Sequence, residues 1–300
     1  MKQQDWIPPP LLPPDLRRRL RGLRFVSSTG VTHGGVGERR SRSKGDGIEF
    51  EDFRPYTYGD DTRRIDPHVL ARLGQTVIRQ YNVPERLAIT LLVDLSTSMS
   101  FGTPTKGEVS LRIAAGLALC ALANGDSLMC ACTRESSIES FPRLTGLGKL
   151  DELFEWIRSR TASGQQALLG PVTNLNRLVP AGGITVVISD MWDVTCLDAV
   201  NRLREYHQHV VVIRPLTPAE LDPRVLGSGL IRLVDSESGE EVEIELREAT
   251  LASYRSHFAR LTASIRDTVT KAQGQFIELS TEDSLTDLFE VHLREARVIT

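Results

Sequence analysis

The sequence predicts an α/β fold with a doubly wound, mostly parallel sheet, and two observations support this prediction. From Arg86 onward, short apolar stretches alternate with longer stretches that have the periodicity of helices. Several of the short stretches, such as Leu87–Val93, are almost wholly apolar, which is typical of strands buried on both faces. Strands that alternate with helices form parallel sheets covered by helices on both sides.

The predicted elements follow one another along most of the chain. Strands are predicted at Leu87–Val93, Ser127–Thr133, Ile184–Ser189, His209–Arg214 and Gln275–Glu278. Helices are predicted at Lys106–Ala123, Lys149–Ser159, Leu168–Leu178, Thr195–Tyr206, Ala249–Gln273 and Asp283–Glu295. A polar turn between Gly229–Val234 and Glu241–Leu246 predicts a hairpin in addition.

Changes in composition predict four regions. Residues 1–47 are rich in proline, glycine and basic residues and predict a flexible arm with a short basic helix at Asp15–Phe25. Residues 48–85 mix aromatic and charged side chains and predict a packed extension. Residues 86–216 predict the main α/β domain, and residues 217–300 a C-terminal hairpin and helices packed on that domain.

Charge and composition exclude several classes of protein. The chain has 300 residues, 36 Lys and Arg against 39 Asp and Glu, and 40% hydrophobic residues. These values exclude a fully disordered chain, a collagen-like chain and a wholly basic nucleic-acid coat.

No apolar stretch approaches the roughly 18 residues of a membrane span, and the N-terminus lacks a signal sequence, so we expect a cytoplasmic protein. The four cysteines lack metal-binding or redox spacing, and we expect them to be reduced and packed.

The N-terminal arm carries a local excess of positive charge. Between Asp15 and Lys44, nine Lys and Arg stand against two acidic residues, and Phe25 is the only aromatic residue. Because aromatic side chains for base stacking are scarce, we expect no nucleic-acid partner. The arm is either a solvated segment or a docking segment for an acidic protein.

Two of the buried strands end in aspartate. Asp94 follows the first strand and begins the pattern Asp94-x-Ser96-x-Ser98, and Asp190 follows a later strand. Ligands of open parallel sheets bind at the carboxyl ends of strands, where the strand order switches. Carboxylate and hydroxyl oxygens suit Mg²⁺ or Mn²⁺, so these four residues are candidate metal ligands. Alternatively, the Asp and Ser side chains cap the helix that follows.

Other chemistries fit this pattern less well. A phosphatase of the haloacid dehalogenase type also places Asp at the end of its first strand, but it needs a second Asp as general acid where this chain has Ser96. The stretch Asp94–Met99 contains no glycine for a nucleotide-binding turn, and the chain has no P-loop spacing. A binding site without catalysis is therefore the main interpretation.

The candidate ligands and an upstream stretch carry a family resemblance. Asp94, Ser96, Ser98 and Asp190 resemble the metal-ion-dependent adhesion site of von Willebrand factor type A domains. The stretch 48–66, IEFEDFRPYTYGDDTRRID, resembles the signature of the bacterial domain-of-unknown-function family fifty-eight, in which it precedes a type A domain. The resemblance covers about residues 40–295. It implies a type A-like fold, four metal ligands and a partnership with MoxR-type AAA+ ATPases as an adaptor.

The sequence departs from the family pattern at two places. The type A site normally adds a Thr from a middle loop, in this family often within Gly-Thr-Asp-Leu, and here Gln165 stands at that place; Thr161 and Thr173 are nearby substitutes that do not fit the pattern. The signature is often followed by Asp-Trp, and here it ends in Asp66-Pro67. The charged residues of the signature form either a salt-bridged structural plug or a surface that an ATPase recognises.

We therefore expect a non-enzymatic protein-interaction module that works with a MoxR-type AAA+ ATPase and docks partners at a Mg²⁺-dependent site. The alternative is a scaffold with a vestigial metal site that binds partners through its basic arm. A Mg²⁺-dependent phosphatase is a more distant alternative.

Overall fold

The computed structural model describes residues 10–26, 49–82, 86–134, 137–164, 167–175, 177–193, 195–227, 229–234 and 240–300. The chain divides into two compact units. Residues 27–86 form the smaller unit, and residues 1–26 and 87–300 belong to the larger one.

Residues 10–26 pack into the core of the larger unit, so the prediction of a flexible arm over residues 1–47 is wrong for this stretch. Helix α1 (Pro14–Leu20) overlaps the helix predicted at Asp15–Phe25 but begins one residue earlier and ends five residues earlier, and it starts with proline, which suits a first helical turn. Apolar residues in this helix and just before it are spaced by four and form one buried face. They are Leu12, Leu16 and Leu20, each at most 2% exposed. Arg24 and Thr300 then exchange two backbone hydrogen bonds, which tie this segment to the C-terminus. The basic residues at 39–44 lie outside the described residues.

The smaller unit contains the predicted extension at 48–85. Strand β1 (Glu49–Pro55) pairs antiparallel with β2 (Val77–Asn82), and helix α2 (Pro67–Leu73) lies in the connection between them. Asp66 caps α2, because its Oδ1 accepts hydrogen bonds from two backbone amides of the first turn, at 2.7 and 3.1 Å. The Asp66-Pro67 pair, which departs from the family pattern, therefore forms a well-defined helix start.

The larger unit is built around one twisted sheet. Its strands in chain order are β3 (Ala88–Val93), β4 (Ser127–Arg134), β5 (Ser137–Ser140), β6 (Leu144–Thr145), β7 (Ile184–Ile188) and β8 (His209–Leu216), and after the hairpin strands β9 (Gly229–Val234) and β10 (Glu241–Leu246) comes β11 (Gln275–Ser280). The spatial order is β11-β8-β7-β3-β4-β5, and β3, β4, β7, β8 and β11 are parallel. This arrangement confirms the predicted doubly wound, mostly parallel sheet.

Two features of the sheet differ from the prediction. The short strands β5 and β6 add antiparallel pairs to β4, and their sequences are too short and too polar for a periodic signal. The last parallel strand, β11, pairs with β8 along its whole length. The sheet therefore continues beyond the predicted domain boundary at residue 216, and it is completed only after the hairpin and a long helix.

Helices cover both faces of this sheet. They are α3 (Lys106–Ala123), α4 (Leu150–Arg158), α5 (Leu169–Leu175), α6 (Cys196–Glu205), α7 (Pro218–Leu221), α8 (Glu248–Lys271) and α9, which runs through Leu285–Asp287, a π-helical turn at Leu288–His292, and Leu293–Glu295. Alternate residues of β3 face opposite layers: Leu91 packs in the cluster that contains α1, α3, α4 and α9, and Leu92 packs with α5, α6 and α8.

Helix α3 is the most deeply buried helix and has the bounds that its periodicity predicts. It begins with a capping box, in which the Thr105 hydroxyl accepts from the Glu108 amide at 3.1 Å and the Glu108 carboxylate accepts from the Thr105 amide at 3.0 Å. At its middle, Gly116 lies against the ring of Phe289 on α9, where a side chain would collide. None of the helices in the described part of the chain has the length and apolar composition that crossing a membrane requires.

Candidate functional site

The candidate site lies where the strand order of the sheet switches. Strand β3 pairs with β4 on one side and β7 on the other, so the loops that leave β3 and β7 diverge from neighbouring strand ends. Asp94 follows β3 and its amide donates to the Ile188 carbonyl at 2.8 Å, which holds the two loops side by side. The structure thus brings Asp94 and Asp190, which are distant in sequence, to the same edge.

Three of the four candidate ligands form a continuous chain of oxygens. The hydroxyl oxygens of Ser96 and Ser98 are 3.0 Å apart, and the Ser98 hydroxyl donates to Oδ2 of Asp190 at 2.9 Å. Ser96 precedes a short 3-10 turn but its side chain makes no capping hydrogen bond there, so the alternative of a helix cap does not describe its hydroxyl. Ser96 and Asp190 are buried, whereas Ser98 is partly exposed at the edge of the site.

Asp94 lies behind these three residues and is held by protein donors. Its Oδ1 accepts the Ser96 amide at 3.0 Å and the Thr133 hydroxyl at 3.3 Å, and its Oδ2 accepts the Ser189 hydroxyl at 2.7 Å. Burial raises the pKa of Asp94 above its ordinary value, and the negative charge of Asp190 raises it further, although the hydrogen bonds from Ser189 and Ser96 act in the opposite direction. A cation close to both carboxylates would relieve their repulsion.

A buried lysine, which the sequence analysis missed, supplies one such cation. The Nζ atom of Lys106 lies 2.6 Å from Oδ2 of Asp190 and 2.6 Å from Oε1 of Glu220, and the residue is only 1% exposed. The indole of Trp192 donates to the same Glu220 oxygen at 3.1 Å. One sequence signal was available, because Lys106 is the first residue of an apolar helix, where the helix dipole disfavours positive charge.

A buried arginine fixes the backbone behind Asp190. The Nε of Arg214 donates to the Asp190 carbonyl oxygen at 2.7 Å, and the side chain is 0% exposed. Its guanidinium lies 5.1 Å from the ring centre of Trp192 and 5.2 Å from that of Phe258, and it pairs with Glu278 at 3.2 Å. Burial lowers the pKa of Arg214, and the nearby carboxylates oppose that shift. No sequence pattern marked this residue, which lies in an apolar strand.

The middle loop reaches the site through its backbone. The Ser163 amide donates to the Leu95 carbonyl at 2.8 Å, and the Gly164 carbonyl accepts from the Thr97 amide at 3.0 Å. The prediction for Gln165 falls on a residue that lies outside the described part of the chain. Thr173 donates its hydroxyl to the Leu169 carbonyl of its own helix, at 2.8 Å.

The residues present fit a hard divalent cation by donor type, and the spacing of their hydrogen-bonded oxygens is compatible with one. An octahedral ion with bonds of about 2.1 Å has ligands about 3.0 Å apart along each edge. The Ser96–Ser98 and Ser98–Asp190 oxygen pairs have separations of 3.0 and 2.9 Å. The described residues contain no group of three or more His, Cys, Asp or Glu that could hold a metal, so such a site depends on its serine hydroxyls. Lys106 is the feature that differs from a simple metal site, because it already neutralises Asp190.

The fold and the site together define an α/β protein with a serine and aspartate site at the switch point of a mostly parallel sheet. The family described as "Protein of unknown function DUF58" matches residues 52–268, and the chain belongs to this family. The family assignment confirms the resemblance seen in the signature.

Curated relatives and solved structures show further similarities. The chain is 28% identical over 267 residues to uncharacterised proteins of Mycobacterium tuberculosis and Mycobacterium bovis, which covers 86% of this chain and 81% of each relative. Among solved structures, it is similar to the conserved hypothetical protein BatB from Bacteroides thetaiotaomicron, with a TM-score of 0.46 and 12% identity over 70% of this chain and 98% of the other. It is also similar to an aerotolerance-related membrane protein from Bacteroides fragilis, with a TM-score of 0.44, 14% identity and the same coverage.

Proposed function

We propose that this protein is a non-enzymatic interaction module that binds a partner protein at a Mg²⁺- or Mn²⁺-dependent site formed by Asp94, Ser96, Ser98 and Asp190. The observation that carries the proposal is the row of oxygens with separations of 3.0 and 2.9 Å at the switch point of the sheet. A bound cation would supply an open coordination position for a carboxylate of the partner. The partly exposed hydroxyl of Ser98 lies on the side from which a partner would approach.

The chemistry of the site favours binding over hydrolysis. A dehalogenase-type phosphatase needs a general acid two positions after Asp94, and here that position holds Ser96, whose hydroxyl contacts Ser98. Turnover of a panel of phosphoesters that is lost in Asp94→Asn would support the phosphatase alternative instead.

The finer proposal is that the partner is a MoxR-type AAA+ ATPase and that this protein acts as its adaptor in the cytoplasm. The family resemblance of the signature is the basis for this choice. Within the smaller unit, Arg54 and Asp60 form a bidentate ion pair, in which one guanidinium nitrogen lies 2.7 Å from Oδ2 of Asp60. The Thr57 amide donates to the same carboxylate at 2.9 Å. These contacts hold the loop that presents Tyr58, whose side chain is fully exposed. An ordered loop with an exposed aromatic ring suits recognition by a protein.

The scaffold alternative also has an observation in its favour. Asp94 already accepts three hydrogen bonds from the protein, and Lys106 neutralises Asp190, so these contacts hold the site without a metal. In that alternative, partners bind the basic segment at residues 39–44 and a chelator has no effect.

Binding of the purified MoxR-type ATPase from the same genome tests the proposal. We expect binding in Mg²⁺ that is lost in chelator and weakened at least tenfold by Ser98→Ala. Ser100→Ala is the matched control, because Ser100 belongs to the same short turn as Ser98 but its hydroxyl donates to the Thr97 carbonyl, at 2.6 Å, and not to Asp190. Binding that survives both chelator and Ser98→Ala would support the scaffold.

The basic segment needs a separate variant, because residues 10–26 belong to the core and a long N-terminal deletion would unfold the protein. Replacement of Arg39, Arg40 and Arg42 by Ser leaves residues 10–26 unchanged. Loss of binding in this variant, together with insensitivity to chelator, would identify the scaffold mechanism.

A further inference from the structure

The ammonium of Lys106 has a fixed position in the candidate site. Lys106 is the first residue of α3, directly after the Thr105–Glu108 capping box, and its carbonyl accepts the Ser110 hydroxyl at 2.7 Å. Because the helix start is anchored in this way, the side chain extends from a rigid point. It reaches two carboxylates, on Asp190 and Glu220, that come from different loops.

We propose that the ammonium of Lys106 is a built-in cation of this site, which holds Asp190 and Glu220 together when no metal is bound and lowers the affinity of the site for a divalent cation. This inference rests on the proposed function, because it concerns the regulation of the same site. It assigns to this chain a positive charge that competes with the metal for Asp190.

The hydrogen bonds of Asp190 explain the competition. Its Oδ2 accepts both the Ser98 hydroxyl, at 2.9 Å, and the Lys106 ammonium, at 2.6 Å, so both lone pairs of that oxygen are used. A divalent cation placed between Ser98 and Asp190 would therefore meet a neighbouring positive charge, and the two would repel each other in a poorly solvated place. Without Lys106, Asp190 and Glu220 would lose the ammonium that contacts both carboxylates, and a buried carboxylate that loses its partner is costly.

Glu220 connects this ion pair to the indole of Trp192, so that tryptophan fluorescence can report on it. Its Oε2 caps helix α7 by accepting the Thr217 amide at 2.7 Å, while its Oε1 accepts both the Lys106 ammonium and the Trp192 indole. A change at Lys106 therefore alters the charge that faces the Trp192 indole. Tryptophan fluorescence should therefore report the change, and the signal of Trp192 is identified by its absence in a Trp192→Phe background.

Titration with Mn²⁺ alone tests the inference by calorimetry and by Trp192 fluorescence. The variants are Lys106→Met, which keeps the length of the side chain and removes its charge, and the double variant Lys106→Met with Glu220→Gln, which also removes one carboxylate left without its partner. Lys149→Met is the matched control, because Lys149 is exposed and lies 3.9 Å from Glu152. We expect Mn²⁺ affinity at least tenfold higher than wild type in both Lys106 variants and unchanged in the control. The double variant keeps the test valid if the single one fails to fold.

The other outcomes separate the inference from the proposed function. Equal Mn²⁺ affinity in wild type and Lys106 variants, lost in Ser98→Ala, would overturn the role of Lys106 and leave the metal site standing. Absence of Mn²⁺ binding in wild type and in every folded variant would overturn both.

Discussion

Replacement of Arg214 tests whether the site depends on the buried arginine behind it. We expect Arg214→Met to destabilise the protein strongly and to disturb the loop that carries Asp190. The guanidinium donates to the Asp190 carbonyl at 2.7 Å, pairs with Glu278 at 3.2 Å, and lies over the rings of Trp192 and Phe258, which also contact each other. Methionine fills part of the same space against the rings but donates no hydrogen bond.

The size of the effect follows from the burial of each group. Removing one partner of a buried ion pair costs about 3–5 kcal/mol, because the remaining groups lose their hydrogen bonds away from water. Glu278 keeps 23% of its side-chain exposure and can be solvated, so we expect a value near the lower end, about 3 kcal/mol. Arg232 offers a matched control, because its guanidinium also lies 3.2 Å from a carboxylate, that of Glu241, but its side chain is 64% exposed. We expect Arg232→Met to cost about 0–1 kcal/mol.

Urea unfolding followed by circular dichroism measures both variants against wild type. Arg214→Lys adds a further comparison, because lysine keeps the charge but lacks the planar fork that reaches the carbonyl and the carboxylate together. A loss below about 1 kcal/mol for Arg214→Met, equal to that of Arg232→Met, would refute the reasoning that burial decides the strength of this pair.

Three more predictions concern packing and ionisation. Gly116→Ala should destabilise the protein by about 1–3 kcal/mol in urea unfolding, although alanine favours helices, because its Cβ would lie 2.3 Å from the Phe289 ring. A second substitution, Phe289→Leu, should recover part of this loss, and additive effects of the two substitutions would contradict the account. Burial raises the pKa of Tyr254 from 10.0 to about 12. The contribution of this pKa shift to the free energy of unfolding is therefore present below pH 10 and is lost as the pH rises through about 12. Curves of stability against pH that run parallel for wild type and Tyr254→Phe would contradict this prediction. Burial raises the pKa of Cys120 and Cys130 to about 12. A thiol reagent at pH 8 should therefore label the unfolded chain and leave the native protein unmodified. Rapid labelling of the native protein would contradict the burial of these thiols.

The elements of the main domain could be predicted because their signals are local. Lys106–Ala123 has helical periodicity over its whole length, and the run that ends at Val93 is apolar except for Thr90, so each stretch indicates its own burial. The short strands β5 and β6, which both pair with β4, and the place of β11 in the sheet could not be predicted, because short strands and sheet order depend on distant partners. Residues 10–26 looked like a solvated arm, since the abundance of Arg and Pro concealed three leucines with helical spacing.

The sequence by itself determined the fold class, the family and the two aspartates at strand ends, because strand ends and spacing within one loop are local properties. Only the tertiary structure showed that Lys106 meets Asp190 and Glu220, which are 84 and 114 residues away along the chain, and that Arg214 supports Asp190 from behind. Strand order brings these residues together, and a charged side chain gives no sign in the sequence of the distant carboxylate that neutralises it. The charge balance of the site is therefore a property of the folded chain.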